Sequence, residues 1–282
     1  MTSKYILTTQ SEDRIGIVAT LTRALADHGG FITAHSQFGT PGSDRFYSRI
    51  AFDMDSENLT AFKSALLKIA GEWSLSVEII PQARKTKTII MVSKFDHCLA
   101  DLLYRRSNGS LNIDVCAVVS NHTDAAHRAR AADVPFIHIP VSKTNKPEAE
   151  AALRKVMTDT GAELIILARY MQILSDSFCT DYSGRIINIH HSFLPSFKGA
   201  KPYHRAYARG VKLIGATAHY VTADLDEGPI IDQDVRRVDH TMTPDQLIAI
   251  GRDVEAQTLA RAVAHHVDHR AFINGNKTVV LP

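Results

Sequence analysis

The sequence predicts an α/β chain in two parts. A compact βαββαβ unit spans residues 1–82, a linker follows at 83–88, and a doubly wound, mostly parallel sheet with covering helices spans 89–282. Three observations predict this. The first 80 residues alternate strand-period and helix-period stretches in that order. Past residue 88, short continuous Val/Ile runs recur with helical stretches between them, which marks strands covered on both faces. The last third abandons that rhythm for two longer strands and one long helix.

In the first part, "KYILTTQ" alternates as a strand does. In "SEDRIGIVATLTRALADHGG", Ile17, Leu21, Ala24 and Leu25 share one helical face, and Gly29-Gly30 end the helix. "FITAHSQF" and "RFYSRIAFDMD" are strands joined by the turn-rich "GTPGSD". "ENLTAFKSALLKIAGEW" is a second helix and "SLSVEII" a closing strand, an order that is ferredoxin-like. "PQARKTKT" is polar, opens on Pro and lacks apolar periodicity, so it reads as the linker region.

In the second part, "TIIMVS", "IDVCAVVSN", "PFIHIP", "AELIILA" and "RIINIH" are strands. Helices are expected over roughly 96–106, over "TDAAHRARAAD" and over "KPEAEAALRKVMTDTG", where Pro147 sits near the start. "VKLIGATAHYV" and "GPIIDQDVRRV" are longer, antiparallel strands. "TPDQLIAIGRDVEAQTLARAVAHHV" is a long helix with Thr243 as N-cap and Pro244 at its first position.

Composition narrows the function classes. The chain is 45% hydrophobic with a formal net charge of +2, enough for a core and too balanced for a polyanion or membrane-surface binder. Nucleic-acid signatures are absent, and no apolar run approaches the ~18 residues of a membrane span. The three cysteines, Cys98, Cys116 and Cys179, form no CxxC pair and no disulfide framework. "MTSKYILTTQ" is too polar for a signal peptide, so a soluble protein of a reducing cytoplasm is expected.

The chemistry concentrates in two stretches. "RIINIHHSFLPSFKGAKPYHRA" carries an apolar strand directly into Asn188, His190, His191 and Ser192. Ligands of open parallel sheets sit beyond the carboxyl ends of the strands. Residues two apart on a strand share a face, so Asn188 and His190 project together, while His191 is expected to face the other way. "GATAHYVTADLDEGPII" supplies His219, Asp224, Asp226 and Glu227 on a loop between strands. An amide beside an imidazole stabilises a developing oxyanion, and a carboxylate orients the ring. Each residue alone has a plainer reading. Asn188 serves as a turn or cap residue, the histidines as hydrogen-bonded structure, and the carboxylates as a solvated turn.

Together these residues resemble a known family. "NIHHSFLPSFKG" resembles the Asn-x-His-x-Ser-x-Leu-Pro motif of the folate-dependent formyltransferases and their hydrolase relatives. "TAHYVTADLDEGPII" resembles the family's second motif, and "LARYMQIL" its folate-pocket segment. The resemblance implies a Rossmann-like fold and a catalytic trio of Asn188, His190 and Asp226. It further implies a pterin pocket from Met171, Gln172, Ile173 and Leu174, closed by Thr222, Ala223, Asp224 and Asp226, with Gly199 and His219 also against substrate. The implied substrate is a 10-formyl folate of one-carbon and purine metabolism, with no cofactor beyond it and no metal. A metal hydrolase built on His190, His204, His219 and Asp226 is the rival, but its spacing fits no short-range ligand pattern.

The acceptor decides the reaction. Relatives that formylate a phosphorylated amine resemble this domain but carry a Gly-rich loop after the first strand, whose amides hold the phosphate. Here "MVSKFDHCLADLL" has no Gly and offers Phe95 and Asp96, so water is the expected acceptor. Formyl transfer to an amine such as glycinamide ribonucleotide is the alternative. The first part resembles an ACT domain, with "DRIGIV" as its signature. That implies an amino-acid effector near Asp13, Gly16 and Ile17, and a homo-oligomer, dimer or tetramer.

Overall fold

In a computed structural model, which describes residues 1–40, 44–194 and 202–282, the chain clusters into two units. The first comprises Met1–Arg84, Asp268–Asn274 and Val279–Pro282, the second Lys85–Val267 and Gly275–Thr278. Among the described residues no helix is long and apolar enough to cross a membrane.

The first unit runs β1 (Thr2–Glu12), α1 (Ile17–Asp27), β2 (Phe31–Thr40), β3 (Arg45–Asp55), α2 (Ser56–Trp73) and β4 (Ser76–Pro81). These strands form an antiparallel sheet in the order β2-β3-β1-β4. The helical face expected of α1 is the buried one: Ile17, Leu21, Ala24 and Leu25. It packs with Phe62 and Leu66 of α2 on Leu7, Ile50 and Phe52 of the sheet. Each such side chain, fully buried, contributes ~1.5–3 kcal/mol.

The second unit continues with β5 (Thr86–Val92), α3 (His97–Ser107), β6 (Ile113–Ser120), α4 (Ala126–Ala131), β7 (Phe136–His138), α5 (Lys146–Thr160) and β8 (Leu164–Leu167). Then come α6 (Asp176–Asp181), β9 (Ile186–His190), α7 (Pro202–Arg209), β10 (Leu213–Tyr220), β11 (Ile230–Arg237) and α8 (Pro244–Val267). Its sheet has the order β11-β10-β9-β8-β5-β6-β7. The five strands β9 to β7 are parallel, and β10 and β11 are antiparallel additions. From β5 the chain goes first to β6 and β7 on one side, then to β8 and β9 on the other, so a switch point lies between β5 and β8. The continuous apolar runs follow from burial on both faces: Ile89, Met91, Ile165 and Ile186 are buried with Phe178 on one side of the sheet.

Helix α8 starts on a reciprocal cap. The Gln246 amide N–H donates to Thr243 Oγ1 at 3.3 Å, and the Thr243 N–H donates to Gln246 Oε1 at 2.8 Å.

The sequence reading assigns all of 89–282 to one domain, and the tail departs from it. Strand β12 (Ala271–Asn274) and residues 279–282 cluster with the first unit, the former paired to β13 (Lys277–Val280). Phe272 and Leu281 bury against Tyr47, and Arg49 Nε donates to the Asp268 carbonyl at 2.8 Å. Four-residue strands with a polar turn carry too little periodicity to announce this packing.

Candidate active site

The site is built at the carboxyl end of the second unit's sheet. Asn188 and His190 lie at the end of β9, two residues apart, and both line one cavity. Strand β10 runs antiparallel beside β9, so His219 stands directly opposite Asn188. A register shift between Ala218 and His219, where β10 meets β11, interrupts the ladder there, the kind of irregularity that re-aims a side chain. Asn188 Nδ2 lies 3.2 Å from His219 Nε2. The other His219 nitrogen, Nδ1, donates to the Tyr220 carbonyl at 2.9 Å. That bond leaves Nε2 as the acceptor for one N–H of the amide. The second amide N–H of Asn188 remains for a ligand.

Asp226 arrives on the β10–β11 connection. The Tyr220 N–H donates to the Pro229 carbonyl at 2.9 Å, and Thr222 Oγ1 to the Asp224 carbonyl at 3.2 Å. Closure requires a glycine at 228, where a Cβ would stand 1.8 Å from the Tyr220 oxygen. Asp226 itself adopts φ +59°, a left-handed conformation that non-glycine residues hold only when their surroundings impose it. Its Oδ2 is 3.2 Å from His190 Nδ1 and its Oδ1 3.7 Å from His219 Nε2. The hydrogen bond from His190 holds the Asp226 carboxyl well below the usual carboxylate range, against the opposing effect of its partial burial. His190 Nε2 is buried and has no hydrogen-bond partner among the described residues. The pair therefore presents an ionised carboxylate and an unsatisfied imidazole nitrogen to the same cavity.

That cavity encloses about 330 Å³. Met171, Gln172, Ile173, Leu174, Thr222, Ala223 and Asp224 all line it, with Asn188, His190, His219 and Asp226. Met171 and Ile173 are exposed hydrophobics, an apolar strip suited to a flat ring. The strip is tied to the end of β5: the Met171 N–H donates to Ser93 Oγ at 3.0 Å, and Ser93 Oγ donates to Asn121 Oδ1 at 2.7 Å. Gly199 lies outside the described residues. Asp13, Gly16 and Ile17 line a separate surface cavity of the first unit, with Arg14 and Gln37.

Two of the lining residues that the sequence reading gives no site role are His191 and Arg169. His191 does not turn away: β9 ends at His190, so strand alternation no longer governs it. Its ring stands nearly perpendicular to that of His190, centroids 4.9 Å apart, and lines the same cavity. Burial, and then the Arg169 charge, push its imidazole down to about 4. Below the ordinary value of 6.5 an unfolded chain therefore takes up a proton that the folded chain refuses, down to about pH 4. Stability should fall as pH is lowered through that window. His191→Asn should flatten this part of a Tm-against-pH curve, and an unchanged slope would contradict the assignment.

Arg169 is the other. It holds φ +65° just past β8, and its side chain is nine-tenths buried with Nε 3.3 Å from Glu255 Oε2. Glu255, on α8, also accepts from His97 Nε2 at 2.8 Å and from the Tyr203 hydroxyl at 2.5 Å. Tyr203 reaches it across Gly251, where a Cβ would stand 2.1 Å from the phenol ring. Burial alone raises the Glu255 carboxyl, but the His97 hydrogen bond and the Arg169 charge bring it below its ordinary value. Of the rival metal set, His190, His219 and Asp226 converge while His204 lines a different cavity. A third grouping, His97, Cys98 and Glu255, has ligand atoms within 4.8 Å of one another, with His97 and Glu255 already hydrogen-bonded.

A parallel sheet presenting an amide, an imidazole and an ionised carboxylate beyond its strand ends has the parts for chemistry at an acyl carbon. Residues 86–263 match the formyl transferase family model, and the chain belongs to that family. Within it, the chain aligns from end to end with the formyltetrahydrofolate deformylases. It is 49% identical over 280 residues to the one from Corynebacterium sp. (strain P-1), covering 99% of this chain and 98% of that protein. The crystal structure of a formyltetrahydrofolate deformylase from Pseudomonas putida KT2440 superposes with a TM-score of 0.94 at 47% identity, covering 98% of this chain and 99% of that one. Glycinamide ribonucleotide transformylase 1 from Symbiobacterium toebii superposes at TM-score 0.66 and 30% identity, covering 70% of this chain and 95% of that one.

Proposed function

We infer that the chain hydrolyses 10-formyltetrahydrofolate to tetrahydrofolate and formate, a reading supported by its end-to-end relatives, which are named formyltetrahydrofolate deformylases. The observation that carries this is extent. Deformylases account for nearly the whole chain, while the transformylase accounts for 70% of it. The stretch after β5, which includes Lys94, Phe95 and Asp96, carries no glycine that would cradle an acceptor's phosphate.

In the mechanism we propose, the bicyclic ring lies along Met171–Leu174 beneath the 222–226 loop. Asp226 orients a water and takes its proton as the water oxygen bonds to the formyl carbon. With both ring nitrogens protonated, His190 donates Nδ1–H to Asp226 and Nε2–H to the developing oxyanion. Asn188 gives its free N–H to the same oxygen. Collapse breaks the bond to N10, which recovers the proton held by Asp226. Formic acid loses its own proton to solvent and leaves as formate. The scheme calls on no metal and no cofactor.

For the first unit we propose an ACT-type, ferredoxin-like regulatory role in a cytoplasmic homo-oligomer. Its βαββαβ order and the cavity holding Asp13, Gly16 and Ile17 support a small amino-acid effector there. Purified protein given 10-formyltetrahydrofolate and no amine should release formate and tetrahydrofolate in equal amounts; no release would remove the hydrolase reading. Methionine and glycine titrated into the same assay test the effector, and a flat response to both removes it.

A further inference from the structure

A second cavity, of about 300 Å³, adjoins the first. Phe95 and His97 reach it from the segment after β5, Arg169 and Met171 from the segment after β8, and Arg252 and Glu255 from α8. We propose that this cavity is a small-carboxylate site that takes up the formate product and passes it to solvent. The proposal rests on the hydrolase reading.

Position is the first support. The crevice between the segments that follow β5 and β8 is the switch point of the sheet, where open α/β sheets place ligands. The catalytic cavity lies one strand away, over β8, β9 and the β10–β11 loop. Arg169, Met171 and His191 line both cavities, so the two spaces share one wall.

Charge is the second. Two guanidiniums, Arg169 and Arg252, line the cavity against one carboxylate, Glu255. Glu255 is 1% exposed and already engaged by Arg169, His97 and the Tyr203 hydroxyl. Among the described residues no carboxylate stands within ion-pair distance of Arg252. Its guanidinium is held instead over the Phe95 ring, 5.5 Å from the centroid, with Arg169 at 5.9 Å from the same ring. A planar fork with a free charge is matched to a carboxylate.

The reaction supplies the anion. Hydrolysis leaves formate beside Asp226, which is itself ionised. Repulsion from Asp226 and attraction toward Arg252 act in the same direction, from the first cavity into the second.

The test titrates carbon-13 formate into the purified chain without folate, at constant ionic strength set with chloride, and reads binding by NMR line broadening. Wild type should bind formate, and Arg252→Gln should weaken binding at least about tenfold, the loss of one charged hydrogen bond. Arg252→Lys keeps the charge and should recover part of that loss. Arg252 is exposed, so circular dichroism should show both variants folded as wild type. Asp226→Asn separates the two cavities. If formate sits beside residue 226, that variant tightens binding and Arg252→Gln changes nothing, which overturns the proposal. Absence of binding to wild type overturns it too. Because no folate is present, failure of the hydrolase reading shows elsewhere, in the amine-free turnover assay.

Discussion

Asp226→Asn is expected to lower formate release by roughly 10²–10⁴-fold, the range for losing a positioned general base. Asn is the informative replacement. Position 226 holds φ +59°, and Asn tolerates that conformation better than other non-glycine residues do. Alanine there would add backbone strain and confound chemistry with loop geometry. The amide keeps the shape between His190 and His219 but carries no charge and takes no proton. Folate affinity should change little, because in the proposed mode the ring lies on residues 171–174 and on the rest of the loop, which line the same cavity. Rapid-quench measurement of formate together with equilibrium folate binding separates the two effects. Turnover within a few-fold of wild type would remove Asp226 from the mechanism.

Asn188→Ala should cost about 2.7–4 kcal/mol in the barrier, or roughly 10²–10³-fold in turnover. The amide has two N–H groups, one spent on His219 Nε2 at 3.2 Å and one left for the oxyanion. Alanine removes both, so His219 also loses its neighbour. Asn188→Asp keeps the shape and offers an acceptor where the oxyanion needs a donor, so it should be at least as damaging. The loss should fall on kcat with KM for folate within a few-fold, since the interaction forms as the carbonyl becomes tetrahedral. A rise in KM with kcat unchanged would reassign Asn188 to ground-state binding.

Much of this site is legible in the sequence because two simple periods govern it. Alternation along β9 puts Asn188 and His190 on one cavity, and the 3.6-residue period of α1 selects Ile17, Leu21, Ala24 and Leu25 as its buried face. The bond between Asn188 and His219 depends on which strand lies beside β9 and in what register, and no local pattern encodes that. His191 is misjudged because alternation stops where the strand does. Arg169 lies within the "LARYMQIL" segment, but its part is not legible there: it comes from a left-handed backbone and from Glu255, 86 positions later on another helix. The short helices α6 and α7 and the tail strands are too brief for their periodicity to stand out. Motif resemblance supplied what period could not, the link between the 188–190 and 219–226 stretches.

The central claim is that this site hands a formyl group to water. The most direct test follows formate, tetrahydrofolate and any formylated amine during turnover of 10-formyltetrahydrofolate, with and without saturating glycinamide ribonucleotide. Formate equal to the folate consumed, in both cases, is the predicted result. Formate at background without the amine, and formylated amine accounting for the folate when it is present, would contradict it.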